Sequence, residues 1–125
     1  MIANERRAAA RIRAYLPVKI HRQPPPQIVE TLTKNISSSG IRCISTNAVL
    51  ARVASPLSVE LVLEPGHHPI ALEGRTVWFQ TIPHSEQFEC GIEFVNMSPE
   101  NQRRLSTYCQ RLANQIPAPI DRLNS

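Results

Sequence analysis

The sequence predicts an all-β fold with one helix: a six-stranded antiparallel β-barrel followed by a C-terminal α-helix. Three observations carry that prediction. Six runs alternate apolar and polar residues, the period of a half-buried strand. Short clusters of proline, glycine, serine and asparagine separate them, so consecutive runs are expected to pair antiparallel. Each run offers one apolar face, and closing the sheet buries those faces while removing open edges.

The first run, 14–22, sets Leu16, Val18, Ile20 and Arg22 against Tyr15, Pro17, Lys19 and His21. Gln23-Pro24-Pro25-Pro26 ends it, because proline brings no amide donor to a ladder. The second run is 28–33. A polar turn, Asn35-Ile36-Ser37-Ser38-Ser39-Gly40, leads into the third, 41–46. Asparagine and serine shape such turns, and glycine there accepts a positive φ at no steric cost. Residues 47–56 are less regular and read as a loop or a turn of helix. The fourth run, 57–64, puts Leu57, Val59, Leu61 and Leu63 on one face, and Pro65-Gly66-His67-His68-Pro69 turns the chain. The fifth, 70–82, contains Gly74, a predicted bend or bulge. The sixth, 88–95, sets Cys90, Ile92 and Phe94 against Gly91, Glu93 and Val95. Ser98-Pro99-Glu100 then reads as an N-cap, a first-position proline and a first-turn acid. Leu105, Tyr108, Cys109 and Leu112 recur at helical spacing, which predicts about four turns packed on the barrel or on a partner. The expected organisation is an arginine-rich arm over 1–13, a barrel with its helix over 14–113, and a tail over 114–125.

Charge is uneven along the chain. The net charge is +4 over 125 residues. Residues 1–22 hold Arg6, Arg7, Arg11, Arg13, Lys19 and Arg22 against Glu5, so that segment is +5 and the other 103 residues are −1. A basic arm on a near-neutral body suits a compact anion; a basic shell all round would suit nucleic acid. Only six aromatics are present, and most fall on expected core positions, which speaks against the stacking platforms of a single-strand binder. No nucleic-acid partner is therefore expected. No apolar run approaches the length of a membrane span, and the arginines near the N-terminus are not followed by a secretory apolar segment. The three cysteines, Cys43, Cys90 and Cys109, have no paired spacing and read as reduced thiols of a cytoplasmic protein.

Chemistry is sparse. There is no C-x-x-C, no H-x-x-x-H, no carboxylate-rich loop, no phosphate-binding G-x-x-x-x-G-K-[ST] and no G-x-S-x-G around the serines. No enzyme, no metal and no cofactor are expected. What remains is anion recognition. An arginine fork matches phosphate oxygens two at a time, and equally the O6 and N7 acceptors of guanine. Arg7 and Arg11 are four apart and share one side of a helical turn, or grip two sides of a ligand if extended. Asn35 both donates and accepts, Ser37 donates to a phosphate, and Gly40 leaves room for close approach. These groups suit a guanine nucleotide with more than one phosphate. The competing readings are a plain loop at 35–40 and a solvated, frayed terminus at 1–13.

Four stretches together resemble the PilZ domain family, the bacterial receptor module for cyclic di-GMP. Arg7-Ala8-Ala9-Ala10-Arg11 matches its R-x-x-x-R, and Asn35-Ile36-Ser37-Ser38-Ser39-Gly40 its [DN]-x-S-x-x-G at the turn between second and third strands. Gly74-Arg75-Thr76-Val77-Trp78 is similar to its G-x-V-x-W strand, and Cys90-Gly91-Ile92-Glu93-Phe94 to its G-x-x-F strand. The likeness spans roughly residues 4–113. It implies a PilZ-like split barrel and a cyclic di-GMP site in which Arg7 and Arg11 hold phosphates and guanine edges with Arg6 assisting. Asn35, Ser37 and Gly40 would line the opposite wall, and Trp78 would pack beside a guanine or the arm, unless it is a surface or core aromatic. Asparagine stands at position 35 where the family more usually has aspartate; it keeps the size and loses the charge. The function implied is a non-catalytic receptor or adaptor whose arm orders around the ligand and whose response reaches an unidentified protein effector. The alternatives are a ligand-free protein-interaction module of the same fold and a small barrel that binds single-stranded nucleic acid.

Overall fold

Residues 11–22, 27–47, 50, 52, 53 and 55–115 are described by the computed structural model. Apolar alternation builds the strands β1 (Ile12–Arg13), β2 (Pro17–Arg22), β3 (Gln27–Ser37), β4 (Gly40–Ser45), β5 (Pro56–Leu61), β6 (Ile70–Thr81) and β7 (Phe88–Val95), and α1 follows (Pro99–Gln115). Each strand pairs antiparallel with its neighbours in the order β1-β3-β2-β5-β6-β7-β4, and a β3–β4 pairing closes the ring. The result is a closed six-stranded antiparallel barrel plus one C-terminal helix, with the short β1 continuing β2 along one edge of β3. Its interior is filled by the inward set of each strand, with Ile20, Ile36, Ile41, Leu61, Ile70 and Ile92 fully buried.

Several boundaries differ from the sequence expectation. The run expected over 14–22 is broken at 14–16, where Thr33, itself buried, supplies side-chain partners. Its Oγ1 accepts from the Leu16 amide at 2.9 Å and donates to the Ala14 carbonyl. The extended chain therefore starts earlier, with Ile12–Arg13 inside the segment read as an arm. β3 runs on to Ser37, so Asn35 and Ser37 are strand residues and the loop is only Ser38–Ser39. Tyr15 and Phe79, aromatics of the kind expected in the core, are 62% and 45% exposed, whereas Phe88, Phe94 and Tyr108 are buried.

Gly74 is not a bulge. It pairs in register with both Leu57 and Phe94, and a Cβ there would lie 3.0 Å from the Glu93 carbonyl oxygen and from Ile92 Cγ2. The ladder slips one residue elsewhere, at Lys34 in β3 and at Val77 in β6. An extra residue of this kind leaves the chain in the sheet but reverses the face that odd–even counting along the sequence would assign to later side chains.

The helix starts as its sequence signals: Ser98 Oγ accepts from the Asn101 amide at 3.1 Å, and the Ser98 carbonyl from the Gln102 amide at 2.9 Å. It continues to Gln115, two residues beyond the expected end at 113. Leu105, Tyr108 and Cys109 are its buried stripe, and it lies against β1 and β3. Arg111 adds an ion pair to Glu64 at 3.2 Å, and Asn101 Nδ2 donates to the Ala71 carbonyl at 2.9 Å.

Candidate functional site

The two slips in register assemble the site. Thr33 faces Cys43 in the core; with Lys34 as the extra residue, the next pair is Asn35 with Arg42 on the outer face. Likewise Thr76 faces Ile92 inside; with Val77 extra, Trp78 pairs with Gly91 outside. Strict alternation through Lys34 and Val77, with no slip, would turn Asn35 and Trp78 inward. Pairing then runs unbroken across five strands: Arg13 with Asn35, Asn35 with Arg42, Arg42 with Gly91, and Gly91 with Trp78. At the ordinary strand spacing this row is roughly 19 Å long.

Arg11 joins the row at Asn35. Its Nη1 donates to Asn35 Oδ1 at 3.0 Å, across 24 positions of sequence. This contact is the meeting of the arginine segment with the 35–40 corner. Arg6 and Arg7 lie outside the described residues.

Ser37 and Gly40 form the closing pair of the hairpin, and both are buried. Ser37 Oγ accepts from the Ser39 amide at 3.2 Å, sits 3.2 Å from Ser39 Oγ, and donates to the Gly40 carbonyl at 3.4 Å. Its hydroxyl is thus engaged within the turn. Gly40 has no positive φ. A Cβ there would lie 2.4 Å from the Ile92 carbonyl oxygen, so the close approach this glycine permits is to strand β7.

Trp78 lies on Gly91. A Cβ at Gly91 would be 2.4 Å from Trp78 Nε1 and 2.7 Å from Cε2, so the indole rests on the bare backbone of β7. The Arg42 guanidinium lies over the ring, 5.2 Å from its centroid. Arg42 was missed by motif reasoning. Counting across a two-residue loop pairs 37 with 40, 36 with 41 and 35 with 42, and that count was the available signal.

The electrostatics are one-sided. Glu89 and Glu93 flank Gly91 on β7, but Glu89 pairs with Lys34 at 3.2 Å and Glu93 with Arg75 at 3.0 Å. Among the described residues, Arg11, Arg13 and Arg42 have no carboxylate at ion-pair distance. Arg11 is held below the ordinary arginine range by burial and by the nearby charge of Arg42. Beneath the row, the Cys43 and Cys90 thiols face each other in the core with their sulfurs 3.4 Å apart. Among the described residues, no three His, Cys, Asp or Glu side chains are grouped to hold a metal. The arrangement can bind a planar, multiply charged anion through arginine forks on a rigid sheet.

A family model described as PilZ domain matches residues 5–111. The Bacillus subtilis inhibitor of motility (MotI/DgrA) is similar at a TM-score of 0.71 and 26% identity, over 88% of this chain and 52% of that one. The PilZ domain of YcgR from Escherichia coli, solved with c-di-GMP, has a TM-score of 0.71 at 13% identity, over 93% of this chain and 98% of that one. The MrkH–c-di-GMP complex from K. pneumonia has a TM-score of 0.68 at 15% identity, over 86% and 52%. The latter two are likenesses of fold. The chain spans about half the length of MotI/DgrA and of MrkH. No curated protein matches the sequence.

Proposed function

The chain belongs to the PilZ domain family, and from that premise we propose that it is a non-catalytic cyclic di-GMP receptor that changes conformation on binding and signals to a partner protein. The observation that carries the reading is the 3.0 Å contact from Arg11 to Asn35, which joins the two halves of the family's motif on one outward face. Arg11 and Asn35 would meet phosphate and guanine edge groups. Arg7, four positions before Arg11, and the adjacent Arg6 would add forks from the same segment. Ser37 and Gly40 would serve by fixing the corner that aims Asn35, and Trp78 would close the far end of the row. Drawing the segment before Arg11 onto this face would alter the surface a partner reads. Ordering residues costs on the order of 1–2 kcal/mol each, so several charge-assisted contacts of about 1.5–3 kcal/mol must act together. We place the receptor in the cytoplasm; among the described residues no helix is long and apolar enough to cross a membrane.

Calorimetric titration with cyclic di-GMP tests the reading. The parent protein is expected to bind, and Arg7→Ala and Arg11→Ala are each expected to weaken binding by about tenfold or more, the loss of one charge-assisted contact. Absence of heat with the parent protein ends the proposal. Exposed Tyr15 and Phe79 favour a second reading, single-stranded nucleic acid. A salt-dependent shift with an oligonucleotide, and none with cyclic di-GMP, selects it.

A further inference from the structure

We infer that Arg42 is a third arginine of the anion site, and that Trp78 serves the site through Arg42, as the residue that positions its guanidinium. The inference rests on the reading of this face as a cyclic di-GMP site and assigns it a contact outside the family motif.

Arg42 stands in the middle of the row, between Asn35 on β3 and Gly91 on β7. Among the described residues its guanidinium has no acid at ion-pair distance, and the two carboxylates that flank Gly91 on β7 are taken by Lys34 and Arg75. Its Nε is buried and makes no hydrogen bond. What holds the group is the indole face beneath it, a cation–π contact that fixes position while leaving the outward N–H groups unused. The indole is in turn held against Gly91, where a Cβ would collide with it. Glycine, tryptophan and arginine thus form a stack that ends in a charged plane facing outward.

Arg11 approaches that plane from the other side of Asn35. Two guanidiniums with only a neutral amide between them repel each other, and a phosphate between them would reverse the sign of the interaction. Here the asparagine has a use that an aspartate would not. Its Oδ1 orients Arg11, yet it neutralises neither cation, so both charges remain for the ligand. The same stack governs the base. The inner face of Trp78 is closed by Gly91 and the ring carries Arg42, so the plane available to a guanine is the guanidinium, which stacks on bases and offers donors at its edge.

Calorimetry with cyclic di-GMP on the parent, Arg42→Ala, Arg42→Lys, Trp78→Ala, Trp78→Phe and the Arg42→Ala/Trp78→Ala double variant tests this, with thermal melts to verify folding. Arg42→Ala is expected to weaken binding about 10- to 100-fold, the range for a lost charge-assisted contact. Arg42→Lys keeps the charge without the planar fork and recovers only part of the loss. Trp78→Ala weakens the parent but adds almost nothing in the Arg42→Ala background, and Trp78→Phe, which restores an aromatic face, rescues binding. In the free protein, Arg42→Ala shifts the emission of Trp78, the sole tryptophan. If the parent binds and Arg42→Ala binds equally well, or if Trp78→Ala costs as much with Arg42 as without it, the inference is overturned while the receptor reading stands. If the parent does not bind, both fall.

Discussion

Replacing Gly91 by alanine isolates the support under the tryptophan without touching a charge. The added Cβ would sit 2.4 Å from Trp78 Nε1, 2.7 Å from Cε2 and 3.0 Å from Cδ1. Ordinary contact begins near 3.5–4.0 Å, so the indole must lift by about 1–1.5 Å. The ring is at the surface and only half-buried, so it can swing outward instead of straining the core. The cost is then the packing of its inner face plus the contact with Arg42, about 0.5–1 kcal/mol at an exposed site. We expect a total of about 1–2 kcal/mol, toward the lower end of the overpacking range. In a domain of this size that lowers Tm by about 4–10 °C. Trp78 emission should move to longer wavelength as the ring enters water, and cyclic di-GMP affinity should fall with it. A melt within about 1 °C of the parent together with unchanged emission would refute the placement of the indole on β7.

Further expectations concern the frame around the site. Thr33→Val removes a buried hydroxyl that serves the Leu16 amide and the Ala14 carbonyl; two backbone groups lose a partner, so about 2–4 kcal/mol should be lost in denaturant melts, and amide exchange in β1 should accelerate. Stability should fall as pH rises above about 9. Burial lifts the Cys109 thiol above its ordinary value of 9.0 and lifts the Tyr108 hydroxyl, while the hydrogen bond inside the Cys43–Cys90 pair raises Cys43 and lowers Cys90, so the sign rests on Cys109 and Tyr108. The unfolded chain then releases protons that the folded protein retains, which favours unfolding across that window. Melts at pH 8, 9 and 10 check the sign, and a Tm that rises with pH would contradict it.

The strands and the helix start were legible because their signals are local. Alternation marks Val18 and Ile20, or Ile92 and Phe94, and Ser98-Pro99-Glu100 announces a cap. The slips at Lys34 and Val77 were not legible. Neither residue is a glycine or proline, and the residue that did signal a bulge, Gly74, is small because the Glu93 carbonyl approaches it. Gly40 was expected for a positive φ and is required instead by the Ile92 carbonyl oxygen, a contact across 52 positions that no local pattern encodes. At the candidate site, motif spacing pointed to Arg11 and Asn35 together. It gave no hint that the Ser37 hydroxyl closes its own turn, or that Arg42 stands between Asn35 and Trp78.

The extra residues at 34 and 77 decide how this chain must be compared with others. Deleting Val77 would set Trp78 directly after Thr76, still opposite Gly91 and still outward, in a regular ladder. Deleting Lys34 would likewise leave Asn35 opposite Arg42. The outward row thus survives the loss of either bulge, whereas odd–even counting from Thr33 or Thr76 assigns Asn35 and Trp78 to the interior. Alignments of relatives therefore need a gap at these two positions before their outward residues correspond.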